Sequence, residues 1–286
     1  MFHKAEKRQL KLRLAIDGPS GCGKTWGALT IATSLGGKIA VIDTEHGSAS
    51  LYSDKFEFDV LEMKNNFSPE QYINAIKAAE NAGYDILIID SMSHEWDGIG
   101  GCLDLQTKLG GRYTDWGKIT PRHDAFIQAI LSCKMHVIGT MRTKAEYVIE
   151  KNQNGKDAPR KVGTAPKQRD GLEYEFTVVF NLNQQHMASV SKDRTSLFDG
   201  RDFMLDDSVG LMLIEWLNSG VIAKNNEMPE NEILECQEWA ERIDAAENLQ
   251  ELLKTWQVIP KQFQIRLLRQ KDAAKHKFLS INEKIE

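Results

Sequence analysis

The segment Gly18-Pro19-Ser20-Gly21-Cys22-Gly23-Lys24-Thr25 constrains the fold of this chain more than any other. It satisfies G-x-x-x-x-G-K-[ST], with an apolar, strand-like run at residues 12–16 before it and a helical pattern at 24–35 after it. That context is the one in which the pattern forms a phosphate-binding loop. Its glycines let successive backbone N–H groups curl round an anion at the positive end of a helix. Lys24 can then reach the outer phosphates of ATP, and the Thr25 hydroxyl can ligate Mg²⁺. An ordinary glycine-rich turn needs no Lys followed by Thr. Gly18, Pro19, Ser20, Gly21, Cys22, Gly23, Lys24, Thr25 and the adjacent Trp26 are therefore the expected nucleotide-binding set, with Cys22 a small filler.

Around this loop the chain alternates. Runs at 12–16, 38–42, 60–63, 85–89 and 136–139 read as strands, and helical patterns at 24–35, 69–82 and 121–133 fall between them. Continuous apolar strands alternating with helices predict a three-layer α/β domain with a mainly parallel sheet. Residues 173–190 read as strand after strand, an antiparallel extension of that sheet. A polar break at 223–232 precedes a wholly helical pattern, so the expected division is 1–222 and a small helical appendage at 223–286. Leu249, Leu252, Leu253 and Trp256 form one apolar stripe there, Ile233, Cys236, Ala240 and Ile243 a second, and Phe263, Leu267 and Ala274 a looser third. With 41% hydrophobic residues the chain can bury a sizeable core.

A phosphate-binding loop needs a metal-side carboxylate at the end of a neighbouring strand. Asp90 closes the run Asp85-Ile86-Leu87-Ile88-Ile89 and is the expected residue, although capping of a following helix is its alternative role. Ser91 rather than Glu follows it, so the base that activates water must come from elsewhere.

Several further strings carry a resemblance. Val41-Ile42-Asp43-Thr44-Glu45-His46-Gly47 resembles the strand-end segment of RecA-type recombinases, whose glutamate polarises the attacking water. That resemblance implies Glu45 as the base, with Glu95, just past Asp90, as the second candidate. Val137-Ile138-Gly139-Thr140-Met141-Arg142-Thr143-Lys144 resembles the strand that ends in a polar sensor and opens the DNA-binding loop. Thr140 stands where the family usually has Gln. Ser191-Lys192-Asp193-Arg194-Thr195 resembles the strand end that points two cations at the nucleotide of a neighbouring subunit. Lys192 and Arg194, spaced i and i+2, share one face of such a strand. Together with Arg169-Asp170-Gly171-Leu172-Glu173-Tyr174-Glu175-Phe176, these strings resemble a family of phage-type RecA-fold ATPases found beside recombination and single-strand annealing genes. The resemblance covers most of residues 12–200. It implies ATP and Mg²⁺ as ligands, ATP hydrolysis stimulated by single-stranded DNA, and a homo-oligomer, ring or filament, whose sites are completed in trans.

The whole chain has a formal charge of −5, which argues against a polybasic coat protein but leaves room for a local basic groove. Residues 144–169 supply one. Lys144, Lys151, Lys156, Arg160, Lys161, Lys167 and Arg169 face only Glu146, Glu150 and Asp157 there, a local excess of four positive charges. The middle of this segment has no periodicity and reads as a loop. Lys144, Lys151, Lys156, Arg160, Lys161 and Lys167 are the expected DNA contacts. The Gly-rich stretch 98–117, with Trp96 before it and Tyr113 and Trp116 inside it, reads as a second loop or a lid. The seven histidines make no H-x-x-x-H or H-E-x-x-H pattern and the four cysteines no C-x-x-C, so neither a zinc site nor a disulfide framework is expected. No apolar run approaches a membrane span and the N-terminal residues are charged, so the expected location is a bacterial or phage-infected cytoplasm. Three classes of function remain: a DNA-dependent recombination or annealing ATPase, a motor or helicase-loader of the same fold, and a nucleotide switch that docks a protein partner.

Overall fold

The structure, a computed structural model, describes residues 4–151, 157–221 and 230–282, and divides into two compact units, Met1–Gly220 and Val221–Glu286. The first is built on a nine-stranded sheet. Its strands are β1 (Arg13–Gly18), β2 (Ile39–Asp43), β3 (Asp59–Glu62), β4 (Ile86–Asp90), β5 (His136–Lys151), β6 (Asp157–Pro166), β7 (Val178–Leu182), β8 (Met187–Asp193) and β9 (Phe203–Met204). They lie in the order β3-β2-β4-β5-β1-β7-β8-β9, with β6 paired to β5 alone.

The alternation of side chains explains the layers. Leu14 and Ile16 of β1 and Ile86 and Ile88 of β4 face one core, with Ala28, Leu29 and Ile31 of α1 (Lys24–Leu35) and Val209, Leu213 and Leu217 of α6 (Asp207–Asn218). Ala15, Leu87 and Ile89 face the other, with Tyr72 and Ile76 of α2 (Pro69–Asn81) and Phe126 and Ile130 of α5 (Trp116–Ser132). A strand buried on both faces has no polar alternation, which is why these strands read as unbroken apolar runs. The three-layer α/β fold with a mainly parallel sheet is as expected. Short helices α3 (Ser93–Asp97) and α4 (Cys102–Lys108) follow β4.

Four expectations need correction. Helix α5 begins at Trp116 rather than Pro121, because Ile119 is fully buried and Trp116 stacks on Trp96 at 5.4 Å. That packing outweighs the single ladder bond that Pro121 removes. The stretch 98–117 is thus largely helical. β5 continues to Lys151, and its outer part pairs antiparallel with β6 from Thr143↔Pro166 to Lys151↔Asp157. The segment read as a loop is therefore, over its described residues, a two-stranded antiparallel ribbon. At 173–190, Leu172–Glu175 is a 3-10 turn, and β7 runs parallel to β1; only β8 and β9 extend the sheet in antiparallel fashion.

The second unit packs α7 (Glu230–Asp244), α8 (Leu249–Val258) and α9 (Lys261–Asn282) round Ile243, Leu252, Ile259, Phe263 and Leu267. Asn248 caps α8 by accepting the N–H of Glu251, and Glu251 accepts that of Glu247. Leu253, expected in the stripe, is exposed instead, at the edge of the apolar face. The side chain of Ile233 lies outside the described residues.

Beneath the sheet, His136 accepts the N–H of Leu12 at Nδ1, 3.1 Å away. Burial pushes its imidazole down to about 3, and the charges of Lys11 and Arg13 push the same way. A depressed histidine is neutral in the folded state but protonates in the unfolded chain below about 6.5. Its contribution is therefore complete above that pH and drains away toward pH 3, on the order of 4 kcal/mol in all. Asp17, raised to about 6 mainly by burial, works in the opposite sense between about 4 and 6. The expected result is that His136→Asn, which keeps an acceptor without a titrating ring, flattens the acid limb of a plot of Tm against pH. An unchanged acid limb would remove His136 from that role.

Candidate nucleotide-binding site

The carboxyl ends of β1, β2, β4 and β5 meet at one edge of the sheet, the edge at which α/β folds bind ligands. Ile16 pairs with Thr140, Gly18 with Arg142, and Asp43 with Asp90. This register collects the residues that the sequence scatters over 125 positions, from Gly18 to Arg142. The loop 18–25 leaves β1 and enters α1 through Gly21 and Gly23, at φ 77° and 90°. Side chains rarely adopt these angles, and a Cβ at Gly23 would also lie 3.1 Å from Nδ1 of His186. Lys24 Nζ donates to the carbonyls of Gly18 and Pro19, each at 2.9 Å.

The loop borders a cavity of about 810 Å³. Its polar side comprises residues 20–25 with Glu45, Asp90, Arg142, Thr143 and Lys167. Trp26, Leu51, Tyr52, Leu182, Met204 and Leu205 make an apolar side, with Trp26 packed edge-on against Tyr52 and Phe56. A polar half with an anion-binding loop, joined to an apolar aromatic half, can hold the phosphates and the base of a nucleotide.

Asp90 is buried and accepts hydrogen bonds from Thr25 Oγ1 at 2.6 Å and Thr140 Oγ1 at 2.5 Å. Burial raises its carboxyl above the usual range; the two hydroxyls oppose that, and the charges of Glu45 and Asp43 add to it. A buried carboxylate of this kind, adjoining a threonine hydroxyl, forms a hard oxygen donor set that fits Mg²⁺. Glu45 is positioned by its neighbour in sequence. Asp43 accepts the N–H of Glu45 at 2.6 Å and that of Ala49 at 2.9 Å, closing the turn after β2. Glu45 reaches the cavity and accepts from Arg142 Nε at 2.8 Å.

Residues 10–203, well over half of the chain, match the family described as the AAA domain. The chain belongs to the AAA domain family of P-loop ATPases. A comparison with curated proteins finds no match.

Other expected residues of this AAA domain lie elsewhere. Glu95 is fully buried in α3 and accepts from Cys102 Sγ and His123 Nδ1 at 3.1 Å and from Gln168 Nε2 at 3.2 Å. Glu95, Cys102 and His123 thus bring metal-ligating atom types within 4.8 Å of one another, at spacings that no short motif contains. Their atoms are engaged in bonds to each other, and burial pushes the Cys102 thiol far up. Lys192 Nζ donates to the carbonyls of Glu173 and Tyr174, and Arg194 also donates to that of Tyr174, at 3.0 Å. Both cations therefore brace the turn after Arg169-Asp170-Gly171. Lys167 lines the cavity and pairs with Asp97 at 3.2 Å, while Lys144 is exposed on β5. Lys156 and the side chains of Lys151, Arg160 and Lys161 lie outside the described residues.

Sequence reasoning missed three contributors. Arg142 is one, hidden inside a string read for its threonine. The others are His186 and Gln184, in the turn between β7 and β8, which donate to the carbonyls of Cys22 at 3.0 Å and Ser20 at 3.3 Å. They brace the phosphate loop across a separation of 164 residues, for which a single sequence carries no signal. Among the described residues no helix is long and apolar enough to cross a membrane.

Proposed function

We propose that this ATPase hydrolyses ATP while acting on single-stranded DNA in phage-type recombination or annealing, as a homo-oligomer in the cytoplasm. The backbone amides of 18–25 and Lys24 hold the β- and γ-phosphates. Thr25 and Asp90 hold Mg²⁺, which when bound neutralises phosphate charge. Glu45 takes a proton from water as the water oxygen bonds to the γ-phosphorus. The bond from that phosphorus to the bridging oxygen breaks, and ADP and phosphate leave. Thr140 keeps Asp90 aimed at the site. Lys192 and Arg194 supply cations to a neighbouring subunit's nucleotide, an arrangement that contributes about 10³–10⁵ in rate where it operates.

The observation that carries the DNA reading is the course of β5. One continuous strand bears Thr140 at Asp90, Arg142 at Glu45 and then the ribbon with its excess of basic residues. An anion bound on the ribbon and a nucleotide in the cavity would act on the same strand. The test is the ATPase rate with and without single-stranded DNA, together with the mass in solution. DNA should raise the rate, and the active species should be larger than one chain. Replacing Arg160 and Lys161 by Glu should weaken single-strand affinity at least about tenfold and flatten its salt dependence. Turnover without any DNA binding would leave the nucleotide-switch reading in its place.

A further inference from the structure

We infer that Arg142 senses the terminal phosphate of ATP, and that in doing so it releases Glu45 to act on water; this rests on the assignment of Glu45 as base. Thr140 and Arg142, two residues apart on β5, share one face of the strand. The first bonds Asp90 and the second bonds Glu45, so consecutive positions on that face hold the two acids of the site. Arg142 is paired in register with Gly18, where the phosphate loop begins, and its backbone N–H is fixed by Ser93 Oγ at 2.9 Å. The side chain therefore lines the cavity beside the start of the phosphate loop.

Its bond to Glu45 is poorly suited to be a permanent clamp. The two side chains are 42% and 26% exposed, and ion pairs of that exposure are weak. A terminal phosphate offers three anionic oxygens to a planar guanidinium that can engage two of them at once, a stronger pairing than one carboxylate oxygen through Nε. ATP in the cavity should thus draw Arg142 away from Glu45 and toward itself. ADP, which ends one phosphate short, leaves Arg142 on Glu45, with Oε1 held by the guanidinium and the side chain kept toward β5. The base is then available only when there is a γ-phosphate to transfer. Lys167 also lines the cavity but pairs with Asp97, away from Glu45, so its movement would free no base.

The test compares affinities for ADP and for a non-hydrolysable ATP analogue, which need no turnover. Arg142→Ala should weaken analogue binding about tenfold or more while leaving ADP binding within about twofold, and Arg142→Lys should restore part of the preference. Glu45→Gln replaces the anionic competitor by a neutral amide oxygen that holds the guanidinium less strongly, so it should tighten analogue binding by about threefold and leave ADP unchanged. Equal losses for both nucleotides in Arg142→Ala, or no change in either, would overturn the inference, as would unchanged analogue affinity in Glu45→Gln. Should Arg142→Ala not fold, Arg142→Lys and Glu45→Gln decide the matter on the same affinities. If Glu45→Gln instead turns ATP over normally, the base assignment has failed; the affinity ratios still report separately whether Arg142 reads the phosphate.

Discussion

Lys24→Ala should reduce ATP turnover by at least about a hundredfold and weaken nucleotide binding, without lowering Tm appreciably. Lys24 is the sole cation of the loop 18–25, and its ammonium donates to the carbonyls of Gly18 and Pro19 and lies 3.9 Å from Cys22 Sγ. The loss leaves those two carbonyls without the ammonium, at a cost of about 1 kcal/mol that the fold should tolerate. No neighbour can substitute. Arg142 and Lys167 approach the cavity from β5 and the segment after β6, outside the loop 18–25 whose amides curl round the phosphates. Lys24→Arg should fail as well, because a broad planar guanidinium does not replace a compact ammonium in a close-fitting loop. Binding by a fluorescent nucleotide and turnover measured together check this. A variant that binds and turns over normally would mean that the cavity is not the nucleotide site.

Most of the sheet was legible because its strands obey one simple rule. Residues 14–16 and 86–89 are buried on both faces, and an apolar run serves there. The outer half of β5 was not legible for another reason. Its pairing with β6, from Thr143↔Pro166 to Lys151↔Asp157, rests on the partner strand's backbone, which no local pattern announces. Helix α5 shows a third case. Pro121 is a start signal in isolation, yet the ring stack of Trp116 on Trp96 holds a further turn ahead of it.

The site divides along similar lines. Gly18 to Thr25 are contiguous, and their spacing is itself the chemistry. Asp43 and Asp90 end apolar strands and could be found from that position, and Glu45, two residues past β2, from the resemblance of its segment. Arg142, Gln184 and His186 could not, since each acts through a contact between distant segments. Glu95 shows why position in sequence alone misleads. It follows Asp90 by five residues, but α3 turns it inward beneath the sheet edge, where Cys102, His123 and Gln168 close over it.

This difference between the two glutamates sets up a pair of substitutions with opposite signatures. Glu45→Gln keeps the size of the side chain and an oxygen for Arg142, but cannot take a proton. It should bind ATP and lose turnover by about 10²–10⁴, with Tm unchanged. Glu95→Gln places an amide among three donors. One carboxylate oxygen becomes an NH₂ group, which at Oε1 would face the Cys102 thiol and His123 Nδ1 and at Oε2 His123 Nδ1 and the amide of Gln168, in a site with no solvent contact. The unmet bonds should cost about 2–4 kcal/mol. For the larger unit of this chain that is a fall of several degrees in Tm, with turnover per folded molecule largely kept. Thermal melting and single-turnover hydrolysis on both variants separate the two roles. A stable Glu95→Gln protein that cannot hydrolyse ATP, beside a Glu45→Gln protein that can, would transfer the base to α3. In that case the water would have to reach a carboxylate that is 0% exposed, and opening of the Glu95–Cys102–His123 cluster would become a step of the reaction.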